Sequence, residues 1–64
     1  MKVPDIETAL IQVRSAYPKA YVEGSTGRER SFWVGTDNGS QIVALAKPKG
    51  RIYELEIYDE PKEI

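Results

Sequence analysis

Apolar and polar positions along the chain change rhythm once. From Val3 to Tyr17 the apolar residues fall at Val3, Ile6, Leu10, Val13 and Tyr17, steps of three and four that place them on one side of a helix. Ala9, Ile11 and Ala16 widen this stripe, and Thr8, Gln12 and Ser15 form the wet side. The pattern predicts a helix over residues 4–16. Pro4 suits a first turn, Asp5 and Glu7 favour its partial positive charge, and Pro18 stops the helix by pushing Tyr17 out of helical geometry. After Pro18 the period becomes two. Strands are expected at about 20–23, 31–36, 41–46 and 51–58, the last with the clearest alternation, Tyr53, Leu55 and Ile57 against Glu54 and Glu56.

Turn formers set the expected pairing. Asn38-Gly39 is a strong hairpin signal, because a type I′ turn needs positive φ at both central positions. It places Val34 opposite Val43, Phe32 opposite Leu45 and Trp33 opposite Ala44. A three-residue loop with Gly50 in the left-handed position pairs Lys47 with Arg51, and so Val43 with Leu55, Leu45 with Tyr53 and Gln41 with Ile57. Parity in the looser first hairpin sets Tyr21 against Trp33 and Val22 against Phe32. The expected fold is α+β: one N-terminal helix on one face of a four-stranded antiparallel meander (αββββ). Residues 1–58 form a single domain and residues 59–64 an acidic, frayed tail.

Two faces follow. One holds Val22, Phe32, Val34, Val43, Leu45, Tyr53, Leu55 and Ile57 and is covered by the helix. The other holds Tyr21, Trp33, Ile42, Ala44, Ala46, Ile52 and Tyr58, with Glu23, Glu54 and Glu56 among them, and nothing remains in the sequence to cover it. An uncovered apolar patch commonly marks a contact site, and Trp and Tyr concentrate binding energy. Tyr21, Trp33, Ile42, Ile52 and Tyr58 are therefore the expected protein-binding residues.

Composition narrows the chemistry. The chain has 64 residues, without Cys or His, so it has no disulfide, no zinc-type site and no imidazole base. A domain this small has little core, and association with a partner or with a second copy (a homodimer) is expected to add stability. Glu54 and Glu56 share a strand face, but alternation alone produces that pair, and catalysis lacks its usual parts. The chain is expected to be no enzyme and to need no cofactor or metal. The net charge of −1 argues against generic nucleic-acid binding. Five cations, Arg28, Arg30, Lys47, Lys49 and Arg51, are nevertheless expected at one end of the sheet, beside the helix N-terminus, with Asp37 and Asp59 at the other. Nucleic acid or another polyanion is the alternative partner. The loop from Gly24 to Arg28 lacks the Lys-Ser/Thr ending of a phosphate loop and precedes a strand.

The outer strands would be the first and the fourth. Glu54, Glu56, Asp59 and Pro61 guard the fourth, so the first is the expected site of strand addition. The N-terminal residues have no apolar stretch of an export signal and no run spans a membrane, so a cytoplasmic protein is expected.

The order helix, Tyr17-Pro18-Lys19-Ala20, two strands joined by Asp37-Asn38-Gly39, then Pro48-Lys49-Gly50-Arg51-Ile52 resembles PepSY-type domains. The resemblance implies a helix-plus-sheet module linked to inhibition of secreted proteases. The shared residues are mainly turn formers. By analogy of class, small domains without catalytic residues also include phage and mobile-element proteins that block a host factor. The expected function is a non-enzymatic protein-interaction module, an inhibitor or regulator, acting through the aromatic sheet face.

Overall fold

The structure, a computed structural model, describes residues 1–24 and 27–62. The elements are β1 (Lys2–Val3), α1 (Ile6–Ala16), β2 (Tyr21–Gly24), β3 (Arg30–Thr36), β4 (Gly39–Lys49) and β5 (Ile52–Lys62). They form an α+β fold with one helix and a five-stranded sheet of order β1-β5-β4-β3-β2, antiparallel throughout. The expected αββββ meander is corrected to five strands. Lys2–Val3 pairs along the outer side of β5, Lys2 with Glu54 and Val3 with Tyr53. Two residues are too few to carry a period, so this strand leaves no sequence pattern.

Pro4 lies before the helix, not in its first turn. Asp5 is the N-cap, with extended backbone, and its carboxylate accepts from the Thr8 N–H at 2.7 Å. At the other end the Tyr17 N–H donates to the Val13 carbonyl and the Ala20 N–H to the Tyr17 carbonyl, which turns the chain into β2. The helix thus crosses one face of the sheet between its two outermost strands. It buries Ala9 and Val13 against Val3, Ala20, Phe32, Val43, Ala44, Ala46 and Leu55, with Ile6, Leu10, Tyr17, Val34, Tyr53 and Ile57 around them.

Both later registers differ from the expected ones. Thr36 pairs with Gly39, so Asp37 and Asn38 make the turn. Within this hairpin positive φ is confined to Gly39 (113°), which rules out the mirror-image turn expected at Asn38-Gly39. Val34 then faces Gln41 and Trp33 faces Ile42, until a bulge at Val43 shifts the register and Phe32 faces Ala44. Between β4 and β5 the loop is two residues, Gly50-Arg51, with Lys49 opposite Ile52. Its only positive φ is at Gly50 (66°), the pattern of a type II′ turn. Leu55 faces Ala46, Ile57 faces Ala44 and Tyr53 faces Pro48.

This shift is odd in residues, so it exchanges faces. Ala44 and Ala46 are fully buried under the helix, whereas Leu45 leaves the core and lies half-buried on the reverse face between Ser31 and Glu56. Small side chains beneath a crossing helix allow close approach, which bulky Leu45 would prevent. Val22 keeps its place beside Phe32 but is 38% exposed, because the helix does not reach the β2 margin. Pro48 is tolerated inside β4 because it lies beyond the last β3–β4 pair, Arg30 with Ala46, where one side of the strand is an edge.

The segment expected as a tail from Asp59 is strand as far as Lys62; Glu63 and Ile64 lie outside the described residues. Ile42 pairs with Lys62, so four residues, 58–61, stand against Val43 alone and β5 swings away from β4 there.

Candidate functional site

The register sorts the reverse face into cross-strand rows. The first is Tyr21–Trp33–Ile42–Lys62, the second Glu23–Ser31–Leu45–Glu56, the third Lys47–Glu54–Lys2, and the fourth Lys49–Ile52. Tyr21 with Trp33 is the pair expected from parity. Tyr21, Trp33 and Ile42 are adjacent, and Leu45, absent from the expected site, extends them into the next row. No pattern in the sequence marks Leu45, since its face depends on the bulge and on the loop length.

Ile52 is not part of this cluster. Two rows separate it from Trp33, one of them wholly charged. In that charged row Glu54 lies between Lys47 and Lys2, and its Oε2 stands 3.6 Å from the Met1 ammonium. This ion pair offsets the lack of a hydrogen bond to that oxygen. Tyr58 lies where β5 swings out. Its ring carries the Lys62 ammonium at 4.7 Å, and Lys62 is the cross-strand partner of Ile42, so Tyr58 borders the cluster through that cation. Burial, and secondarily the nearby Glu56 carboxylate, raises the Tyr58 phenol above its ordinary value of 10.0.

None of the five expected residues is fully open; each is half-buried by its sheet neighbours. The polar atoms of the two rings are engaged locally. The Trp33 indole N–H donates to the Ser31 hydroxyl at 2.9 Å, and the Tyr21 and Ser40 hydroxyls share a hydrogen bond of 2.7 Å. Tyr21, Glu23, Gly24, Ser31, Trp33 and Ser40 enclose a shallow depression of about 340 Å³ that opens to solvent. It adjoins β2, which has a strand on one side only. Of the two expected edges, β2 is an outer strand as expected, and the one at β5 is corrected, because β1 covers its first part.

The five cations reach the same end of the sheet but divide between its faces. Arg28 donates to the Gly50 carbonyl at 2.9 Å and stacks on Tyr53, 5.1 Å from the ring centre, on the helix side. Arg30, in register with Phe32, also faces that side and donates to the Gly27 and Glu29 carbonyls. Lys47 and Lys49 lie on the reverse face, and Arg51 sits exposed in the turn. The helix N-terminus reaches this end already capped by Asp5. Ser25 and Thr26, in the loop read as no phosphate site, lie outside the described residues.

Glu54 and Glu56 point to the same face in successive rows, as alternation requires. Among the described residues no group of three or more acidic side chains is placed to hold a metal ion. Among them also, no helix is long and apolar enough to cross a membrane. Comparison with protein-family models, with curated proteins and with solved structures finds no match for this chain. The likeness to PepSY-type domains therefore rests on its turn formers alone.

Proposed function

We propose that this chain is a non-enzymatic protein-interaction module that binds through the aromatic end of its reverse sheet face, at Tyr21, Trp33, Ile42 and Leu45, with Tyr58 at the border. One observation carries the reading. The one helix among the described residues covers the opposite face, and this apolar row is left half-buried beside a strand with an open side. A Trp and a Tyr that share a row and adjoin a depression offer a large contact area at low entropic cost.

The test is retention of protein partners from a native extract on the immobilised full chain, compared with two variants. Ile11 is 66% exposed on the helix and serves as the control site. Partners held by the wild-type chain and by Ile11→Ala, but lost from Trp33→Ala with unchanged circular dichroism, support the reading. An identical set on Trp33→Ala contradicts it. Partners eluted by salt from the wild-type chain and lost on Lys49→Ala/Arg51→Ala, together with retention of labelled nucleic acid, favour the polyanion alternative.

A further inference from the structure

We propose that the depression between Tyr21 and Trp33 seats a cationic side chain, an arginine presented by a protein partner. The inference rests on the reading of this face as a protein-binding surface and adds the chemistry of what it binds.

Three observations converge. The walls are two aromatic rings from directly paired residues, Tyr21 and Trp33, and Glu23 lines the same hollow. A ring face attracts a cation, and a carboxylate at the rim adds a charge-assisted hydrogen bond. The other two half-buried tyrosines of the sheet already carry the chain's own cations, Arg28 over Tyr53 and Lys62 over Tyr58. Among the described residues no cation stands over Tyr21 or Trp33. Moreover, the indole N–H is already spent on Ser31, so the hollow offers acceptors, Glu23 and the hydroxyl oxygens, to an incoming donor. Guanidinium matches this set better than ammonium does, because it stacks flat on a ring while its fork reaches a carboxylate.

Charge also favours a foreign partner over a second copy. The row beside the aromatic one ends in Glu23 and Glu56, both exposed, and the same end of the sheet carries Asp37, Asp59 and Glu60, which outweigh Lys62, the cation held over Tyr58. Two copies joined across this face by a two-fold axis would bring acidic rims together. A basic segment of another protein meets complementary charge.

The experiment is a titration of the full chain with three capped pentapeptides, Gly-Ser-Xaa-Ser-Gly, where Xaa is Arg, Gln or Leu. The signals are the Trp33 indole N–H and the Tyr21 ring by NMR. Trp33 is the chain's sole tryptophan, so its fluorescence gives a second readout. The arginine peptide is expected to shift both rings saturably and to bind roughly tenfold tighter than the other two. Glu23→Gln, an exposed change at the sheet margin, should remove most of that preference. If the leucine peptide binds as tightly at the same rings, the arginine seat is wrong while the protein-binding face stands. No response of either ring to the arginine peptide overturns the seat as well. Sedimentation showing a dimer in which the Trp33 signal is protected would assign the face to a second copy and overturn it too.

Discussion

The Tyr17 phenol donates to the main-chain carbonyl of Tyr58 at 2.6 Å, across 41 positions of sequence. It ties the end of the helix to the point where β5 leaves β4. A carbonyl released from its neighbouring strand needs another donor, and Tyr17 supplies it. Tyr17→Phe keeps the ring and removes the bond. The variant should lose about 1 kcal/mol of stability in urea unfolding. Amide exchange should also speed up from Tyr58 to Lys62. An unchanged midpoint would mean that the tie contributes nothing in solution.

Neighbouring residues on β3 should respond oppositely to truncation. Phe32 is fully buried beneath the helix, and Trp33 is half-buried on the other side. Phe32→Ala should cost about 3–5 kcal/mol, most of the stability of a small domain, and leave the chain largely unfolded by circular dichroism. Trp33→Ala should retain the wild-type spectrum. The reverse result would mean that the helix lies on the Trp33 face.

The parts of the fold legible in the sequence are those fixed by local pattern. The stripe through Ile6, Leu10 and Val13 gives the helix, and the alternation Tyr53–Leu55–Ile57 gives both the last strand and its buried side. The pairing of Tyr21 with Trp33 follows from parity alone. What is not legible depends on packing at a distance. Gly50 suits a two-residue or a three-residue loop, and the choice is made by which of Leu45 or Ala44 and Ala46 can lie under a helix. The bulge at Val43 has no marker, since any residue can be the extra one. For the site, the aromatic row was accessible to sequence reasoning. Leu45 and the distance of Ile52 from Trp33 were not, because both rest on the β4–β5 register.

The backbone of the turn between β4 and β5 can be probed by substitution. Gly50 has φ of 66° and no atom within 4 Å of an added Cβ, so a side chain there meets only backbone strain. Gly50→Ala should destabilise by about 1–2 kcal/mol. Gly35, in β3, has ordinary φ and equal space, and Gly35→Ala should be neutral or slightly stabilising. Equal effects in thermal unfolding would contradict the left-handed backbone at Gly50.

The helix cap should appear in the pH dependence. Hydrogen bonds from Thr8, first its backbone N–H and then its side chain, hold the Asp5 carboxyl below its ordinary value of 3.8. The ionised cap therefore stabilises the fold above that pH, and the contribution fades as pH falls through the lower, folded-state value. Asp5→Asn keeps an acceptor but does not titrate. Its stability deficit relative to the wild-type chain should shrink as pH drops below 3.8. A deficit constant with pH would mean that the carboxylate is not the cap.

The placement of Trp33 can be read directly from its through-space contacts. In a nuclear Overhauser spectrum of the full chain, its indole protons should give cross-peaks to the side chains of Tyr21 and Ile42. They should give none to Ala9 or Val13, while the Phe32 ring contacts the helix. Indole cross-peaks to the Val13 methyls would contradict the account, because they would put the tryptophan in the core and leave no open aromatic face to bind a partner.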